Sequence, residues 1–458
     1  MDNFMRRFAT WVLGCTLFTA LTAAPLPDLG GSGGLINQHQ AKNMGADFMR
    51  QVRQQLPLVH DPLITDYIQR LGNYLVTHSP AKGQHFHFFV VDDDSVNAFA
   101  GPGGYIGVNA GLITTAKNES ELASVMAHEI GHVVQHHLQR MTRQAKLQAI
   151  PAMVAALAGF AAGGQAGTAA VYSAAAAHQT SMLTYSRDYE READQVGQET
   201  LNNSGYDPHA MPIFFYRMQE STQFYPEPPP FLSSHPVTSD RIADSKTRAD
   251  KLARKRIQAP KNTGFYFVKT LLTTRHSQNL HDTLSHYMKT DNIYGQAITE
   301  VRLHRLLPAK KQLIQLHQQA PKNVFYAISL ARIDLQQQQE KVALSRLSKL
   351  QSSPAVAETK IQALSLMPQT ADTLKQIRHL VAKYPQQLSL LQSLAQAEAN
   401  AGHKADAYFY QGLLAKRLGN KAQAAMLFNR ALKQTDLTPD LQQQIRTYLT
   451  KEKKHDGR

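Results

Sequence analysis

The spacing of apolar residues predicts helices and short strands in the first half of the chain. Over residues 35–78, apolar side chains recur at three- and four-residue steps, which is the period of one helix face. Two β-rich runs follow at residues 85–91 and 105–108, with a Pro-Gly-Gly turn between them. This arrangement predicts a small antiparallel sheet. Helical spacing returns over residues 120–148.

From residue 263 to residue 450 the helical period is almost continuous. Pro321, Pro354 and Pro385 recur at intervals of roughly 30 residues, close to the period of helix-turn-helix repeats that stack into solenoids. The last part resembles tetratricopeptide repeats, because small residues and one aromatic stand where paired helices approach. These positions are Gly412, Ala415, Gly419, Ala424, Phe428 and Ala431. A plain helical bundle is the alternative.

The segment 1–24 has the layout of a secretory signal peptide, with two arginines ahead of an apolar stretch at positions 9–21. This stretch is shorter than the roughly 20 residues that span a bilayer. The alternatives to a cleaved signal peptide are an uncleaved membrane anchor and lipidation at Cys15. Residues 149–177 are rich in alanine and glycine. We predict a pair of buried or partner-facing helices there, with a membrane-inserting hairpin as the alternative.

Composition and charge narrow the range of partners. The 458 residues exceed what one core normally serves, and the hydrophobic fraction of 43% is that of a globular protein. The net charge is +14, but the basic residues are scattered through Gln-rich helical sequence without a nucleic-acid-binding motif. We therefore predict no nucleic-acid partner. A basic surface suits unfolded acidic chains or peripheral contact with a lipid headgroup layer.

One predicted helix carries a metal-binding pattern. His128 and His132 are four residues apart, so both imidazoles lie on one helix face, where they can reach a single ion. Glu129 lies beside that ion and can take a proton from water. His136 lies about 12 Å further along the helix than His128, too far to share the ion. We expect His136 and His137 to support the site or to lie at the surface. We also expect each chain to bind one Zn²⁺ ion.

A catalytic zinc needs a third protein ligand and one open position. Glu190 and Asp194 are four residues apart on another predicted helix, so one carboxylate can bind the metal while the other orients a ligand histidine. Glu190 is a better candidate for the third ligand than His136. Glu192 points away from that face, so we predict that replacing it leaves the metal affinity unchanged.

Three motifs together resemble peptidase family M48, in the periplasmic branch that carries tetratricopeptide repeats. They are residues 128–132, residues 190–194 and residues 97–112. The resemblance implies Glu190 as a metal ligand, Asp194 as its support, and a role in outer-membrane protein quality control. It also implies an α+β zincin-like metallopeptidase domain, mostly helical with a small sheet, followed by an all-α tetratricopeptide-like repeat domain.

These patterns divide the chain into four parts. We predict a signal peptide at 1–24, the peptidase domain at 25–258, the repeat domain at 263–450 and a basic tail at 451–458. Because every proposed metal ligand precedes residue 258, a fragment that ends there is expected to keep zinc and activity.

Two further residues belong to a motif that resembles an M48 element. His235 or Arg241 could donate a hydrogen bond to the developing oxyanion. His235 could instead take the open zinc position and keep the enzyme latent, or cap the helix that begins near Ser239.

The predicted protein is a zinc-dependent endopeptidase of the periplasm that degrades misfolded or stalled outer-membrane proteins and assists their assembly. Its substrates would be unfolded or misassembled chains, lying extended along the strand at residues 105–108. Its repeats would bind the outer-membrane assembly machinery. The alternative is a periplasmic chaperone or scaffold that acts through the repeats, with latent or vestigial proteolysis.

Overall fold

The computed structural model describes residues 38–142, 186–221, 228–253 and 264–456, and these are mainly helical. The predicted signal peptide and the predicted helix pair at 149–177 lie outside the described residues. The strands are β1 His87–Val91, β2 Ala98–Gly101 and β3 Tyr105–Asn109. The helices are α1 Gln38–Gln55, α2 Pro62–Thr77, α3 Ala110–Thr115, α4 Glu119–Val134, α5 His137–Thr142, α6 Arg187–Asn203, α7 Ala210–Ser221, α8 Pro230–Ser234, α9 Ser239–Leu252, α10 Gly264–His276, α11 Leu280–Lys289, α12 Ile293–Arg302, α13 Leu306–Gln319, α14 Val324–Gln336, α15 Glu340–Ser348, α16 Pro354–Leu366, α17 Ala371–Lys383, α18 Leu388–Asn400, α19 Lys404–Arg417, α20 Lys421–Ala431 and α21 Pro439–Asp456.

The small sheet has the strand order β1-β3-β2 and is mixed. β1 pairs with β3 in parallel and β2 pairs with β3 antiparallel, so the predicted antiparallel pairing of residues 85–91 with residues 105–108 is wrong. β2 was not predicted, because a run of Ala-Phe-Ala-Gly has low β-propensity. β3 is the central strand, and both of its edges are paired. The expectation that substrate lies along residues 105–108 is therefore wrong.

Two glycines allow helices α4 and α6 to pack closely. A Cβ at Gly131 of α4 would lie 2.8 Å from the carbonyl oxygen of Ala193, and a Cβ at Gly197 of α6 would lie 3.1 Å from the backbone nitrogen of His128. A side chain at either position would push the helices apart. Close packing thus brings the predicted metal-binding faces of the two helices together.

Helix α4 is shorter than its sequence pattern predicted. It begins after Asn118, whose side chain accepts a hydrogen bond from the backbone N–H of Glu121, and it ends at Val134 rather than continuing to residue 148. The chain turns at His136, which has a φ of 54°, and α5 then starts at His137. A non-glycine residue in this left-handed conformation is uncommon, and the apolar spacing gives no sign of it.

The C-terminal half is an array of helices with a regular period. Helices α12, α14, α16, α18 and α20 begin at intervals of roughly 30 residues, as repeated helix pairs do. The same turn ends several helices, with a backbone N–H that donates to the carbonyl five positions earlier and a positive φ at the residue before it. The N–H groups are those of Asn292, Arg305, Gln339, His403 and Asn420, and the positive-φ residues are Asp291, His304, Gln338, Gly402 and Gly419. The array therefore repeats one local unit. Helix α21 continues through residue 450 to Asp456.

One apolar cluster extends across both halves of the chain, from Val59 to Val356. Arg332 of α14 also forms an ion pair with Asp61, at 2.8 Å. A fragment that ends at residue 258 would expose much of this cluster, so the expectation that it keeps zinc and activity must allow for lost stability. Among the described residues, no helix is both long and apolar enough to cross a membrane.

Candidate metal centre

Four buried side chains from three separate segments meet at one point. They are His128 and His132 of α4, Glu190 of α6, and His235, which directly follows α8. Each is at most 1% exposed. The ligand atoms that the four residues offer all lie within 4.8 Å of one another. His235 is 107 residues from His128 in sequence, so folding alone brings it to this point.

The separations between these donor atoms fit a small tetrahedral ion. The Nε2 atoms of His128 and His132 are 3.0 Å apart. Glu190 oxygens lie 3.4 Å from each of those atoms. His235 Nδ1 lies 3.3 Å from His128 Nε2 and 3.0 Å from Glu190 Oε1. Ligands about 2.1 Å from a tetrahedral zinc are about 3.4 Å apart, so two or three imidazoles and a carboxylate in this arrangement suit zinc.

Charges around the centre favour a cation there. Burial acts to lower the pKa of His128, but its contacts with Asp194 and Glu190 outweigh this effect and raise the pKa to about 10. Burial acts to raise the pKa of Glu190, yet His235, His128 and His132 hold it well below its usual value. The carboxylates around His128 therefore favour a positive charge at this point, which a metal ion would supply.

Glu129 lies beside the four-residue cluster and is fully buried. Its Oε1 is 3.4 Å from Nε2 of His235. Burial raises the pKa of Glu129, and His235, His128 and the backbone of Ala100 in β2 oppose that rise. A carboxylate with a raised pKa next to a metal ligand set is suited to accept a proton from water and to release it later.

Asp194 and Arg241 form a buried support behind the cluster. Asp194 Oδ1 lies 2.9 Å from Nδ1 of His128. The guanidinium of Arg241 donates two hydrogen bonds to Asp194, at 2.8 and 2.9 Å, and lies 2.8 Å from Glu190 Oε2. Arg241 also donates to the carbonyl of Pro236, the residue next to His235. Arg241 thus links two carboxylates and the His235 segment. Because its guanidinium is engaged in these contacts, a role in holding the site residues in place is favoured over donation to an oxyanion.

The alternative in which His235 caps helix α9 is wrong. Thr238 is the N-cap residue of that helix, and its side chain accepts a hydrogen bond from the backbone N–H of Arg241. The imidazole of His235 instead enters the four-residue cluster.

Sequence reasoning did not anticipate the contacts of His137. This residue is fully buried, and its Nδ1 lies 2.9 Å from Nδ1 of His132. Its Nε2 lies 2.9 Å from Oε2 of Glu192, which points away from the metal as expected. His136 is exposed and is absent from the four-residue cluster. The sequence gives no signal for this contact, because it depends on the left-handed turn at His136.

Comparisons with known proteins point to a family of metallopeptidases. A family model described as Peptidase family M48 matches residues 62–249. The Beta-barrel assembly-enhancing protease of Escherichia coli (strain K12) is 30% identical over 338 residues, which cover 70% of this chain and 69% of that protein. The Putative beta-barrel assembly-enhancing protease of Vibrio cholerae serotype O1 is 32% identical, over 66% of this chain and 65% of that protein. The Mitochondrial metalloendopeptidase OMA1 of Schizosaccharomyces pombe is 27% identical, over 44% of this chain and 58% of that protein.

Proposed function

The chain belongs to peptidase family M48 and is a metalloendopeptidase, and from this premise we propose that it uses zinc to cleave unfolded or misassembled outer-membrane proteins in the periplasm. The observation that carries the proposal is the buried cluster of His128, His132, Glu190 and His235, with Glu129 beside it. The names of the two bacterial relatives, both β-barrel assembly-enhancing proteases, support the link to β-barrel assembly.

In the proposed mechanism, His128, His132 and Glu190 would hold the zinc ion. A zinc ion bound there would act as a Lewis acid, which would polarise the scissile carbonyl and lower the pKa of water. Glu129 accepts the proton of the attacking water and delivers it to the leaving amine. Asp194 holds the imidazole of His128 through Nδ1, and Arg241 holds Asp194 and Glu190 in register.

We propose that substrate binds along strand β2. Among the described residues β2 pairs with β3 alone, so its other edge can accept an extended chain. The backbone of Ala100 in β2 is close enough to Glu129 to affect its pKa. Pairing through backbone hydrogen bonds depends little on side chains, which suits a peptidase that acts on many unfolded sequences.

We propose that the helices of residues 263–450 are tetratricopeptide-like repeats that bind the outer-membrane assembly machinery. The regular period of the helix pairs and the recurring turn support this interpretation. Export through a signal peptide at 1–24 belongs to the same proposal, as does the peptidase domain at 25–258.

His235 gives specific support to a latent form of the enzyme. Catalytic zinc sites keep one position open, whereas four protein ligands are typical of closed, structural sites. His235 would supply a fourth donor to a bound ion, so its imidazole would have to leave before water and substrate could reach the ion. With His235 in place, the protein would act as a chaperone or scaffold through its helical array. With His235 displaced, it would act as a peptidase.

The test uses the purified full chain and an outer-membrane β-barrel protein, either unfolded or already folded in detergent. We expect zinc-dependent cleavage of the unfolded form, little cleavage of the folded form, and faster cleavage after His235→Ala. Zinc content is measured in parallel. Equal cleavage of the two forms would contradict the proposed substrate class, and a chain that binds no zinc would contradict the proposed chemistry.

A further inference from the structure

We infer that His137, Glu192 and Arg140 form a hydrogen-bond relay that fixes the tautomer and the ring orientation of His132. The inference rests on the proposed metal centre, because it concerns how one of its ligands is held. It assigns a positioning role to His137, which lies outside the ligand set, and to Glu192, whose replacement was expected to leave metal affinity unchanged.

The relay leads from the protein surface to the buried cluster. The guanidinium of Arg140 donates to Oε2 of Glu192 at 2.7 Å. The same oxygen lies 2.9 Å from Nε2 of His137, and Nδ1 of His137 lies 2.9 Å from Nδ1 of His132. The side chains of Arg140 and Glu192 are 40% and 38% exposed, whereas that of His137 is fully buried.

The chemistry of imidazole sets the direction of each hydrogen bond. A histidine that offers Nε2 to a metal carries its proton on Nδ1, so His132 Nδ1–H is a donor. His137 Nδ1 must then be the acceptor, and a neutral imidazole that accepts at Nδ1 carries its proton on Nε2. That proton is donated to Glu192, a carboxylate that can only accept. Arg140 can only donate, and it closes the relay.

Local structure holds the members of the relay in place. The positive φ of His136 ends α4 and starts α5 at His137, so the ring of His137 returns to the side of His132. That ring stacks on Tyr189, with centroids 4.5 Å apart and planes 8° from parallel. The guanidinium carbon of Arg140 lies 4.3 Å from the centroid of the same tyrosine ring. The stacking fixes the plane of the His137 ring, and in the observed orientation both nitrogens meet partners.

A purely structural role for His137 would depend on its stacking, whereas the relay depends on its acceptor nitrogen. Two substitutions separate these roles. His137→Asn places an amide oxygen near the position of Nδ1 and removes the ring. His137→Phe keeps a ring that can stack on Tyr189 and removes the acceptor. The relay and the packing explanation therefore predict opposite orders of zinc affinity for the two variants.

The experiment measures zinc affinity by competition with a chromophoric chelator, on full-length chains whose folding is checked by circular dichroism. We expect His137→Phe to lower the affinity about 10- to 100-fold, the usual effect of losing a partner that orients a metal ligand, and His137→Asn to stay within about 3-fold of wild type. The reverse order would overturn the relay. Absence of zinc binding by the wild type would overturn the proposed function and the relay together, whereas a normal wild type with an unaffected His137→Phe overturns the relay alone.

Variants of Glu192 test the relay even if substitutions at the buried His137 disturb folding. The Glu192 side chain is partly exposed, so its replacement should disturb the fold less. Glu192→Gln retains an oxygen that accepts from His137 and should bind zinc within about 3-fold of wild type. Glu192→Ala should lower the affinity, within the range for partners that orient a metal ligand. Glu199→Ala on the same helix is the matched control, since Glu199 hydrogen-bonds the exposed Gln195. Equal affinities for Glu192→Ala and Glu199→Ala would overturn the relay.

Nitrogen-15 chemical shifts of labelled histidines give an independent readout in the zinc-loaded chain. The relay predicts a protonated Nδ1 on His132, an unprotonated Nδ1 on His137 and a protonated Nε2 on His137. Protonation of His137 at Nδ1 would contradict it.

Discussion

Buried carboxylates occur in both halves of this molecule, and their surroundings differ. At the metal centre Glu129, Glu190 and Asp194 are almost fully buried and come from two helices. In the helical array Asp334 and Glu398 are also fully buried. Burial alone therefore does not distinguish a catalytic carboxylate from a structural one.

The balance of charge makes the distinction. Asp334 has two cationic partners, Lys310 at 2.8 Å and Arg346 at 3.1 Å. Glu398 likewise contacts Arg378 and His403, at 2.6 and 2.9 Å. At the centre three carboxylates face the single guanidinium of Arg241 and three imidazoles, among the described residues. The array neutralises its buried acids by itself, and the centre has room for a cation.

The largest expected effect contrasts Glu129 with Asp334. Glu129→Gln should lower the rate of cleavage of an unfolded protein about 10²- to 10⁴-fold while zinc stays bound, because an amide cannot act as the base. Asp334→Asn should leave the rate nearly unchanged, provided that the assay temperature is well below its unfolding midpoint. Initial rates on zinc-loaded proteins check both results. Normal turnover by Glu129→Gln would contradict the assignment of Glu129 as the general base.

A second test concerns stability rather than activity. Asp334→Ala leaves Lys310 and Arg346 facing each other, and both are partly exposed, so we expect a loss of about 1–3 kcal/mol in the free energy of unfolding. Urea denaturation measures this loss. An unchanged midpoint would mean that the buried acid of the array does not stabilise the fold, and the contrast with the metal centre would be weaker.

The boundary between the two halves predicts a dependence on pH. Burial acts to lower the pKa of His276 in α10, but hydrogen bonds with Asp94 and Asp92 outweigh it and raise the pKa. Burial acts to raise the pKa of Asp92, and Arg275 and His276 lower it. The contribution of His276 is therefore fully present below its unfolded pKa of about 6.5 and is lost as the pH rises through its folded pKa.

Asp92 stays ionised over the pH range in which His276 loses its proton, because the pKa of Asp92 is lowered. The stabilising effect of Asp92 is lost only at acid pH. His276→Gln should therefore lower the melting temperature more at about pH 5.5 than at about pH 9, as scanning calorimetry can measure. Arg275→Gln is the control, because arginine does not titrate in this range, and its effect should be similar at both values. Equal effects of His276→Gln at the two pH values would contradict a charged His276.

The smallest expected effect concerns a backbone feature that both halves share. His136 near the centre and Gln338 in the array have φ values of 54° and 58°. Gln338 is exposed and ends a helix where glycine is preferred. Gln338→Gly should raise the free energy of unfolding by about 1 kcal/mol, measured by urea denaturation. Gln337→Gly is the control and should be destabilising, because Gln337 has a negative φ.

The sequence predicted the local features of the site, whereas features that depend on distant contacts were left open, as for His235, or missed, as for His137. His128, His132 and Glu129 follow from helix geometry, and the pair Glu190 and Asp194 follows from the same spacing. The entry of His235 into the cluster depends on a contact across 107 residues, which spacing alone cannot settle. Contacts of His137 depend on the left-handed turn at His136, and a non-glycine residue gives no signal for such a turn.

For the fold too, the sequence predicted local features better than long-range contacts. The period of the helical array was visible in Pro321, Pro354 and Pro385, because proline marks the starts of helices and the repeats are local. The parallel pairing of β1 with β3 was not visible, because strand order depends on how the intervening segment crosses the sheet. Continuity of the apolar cluster from Val59 to Val356 was equally hidden, since apolar spacing indicates buried faces but not their partners.

The most direct test of the account compares the zinc affinity of two variants at buried carboxylates, Glu190→Gln at the centre and Glu398→Gln in the array. Chelator competition on folded, full-length protein gives both dissociation constants. The account predicts that Glu190→Gln weakens zinc binding by more than the roughly 100-fold limit for residues that only orient a ligand, and that Glu398→Gln matches wild type. Wild-type affinity in Glu190→Gln, or equal losses in the two variants, would contradict the claim that the buried cluster is the metal site.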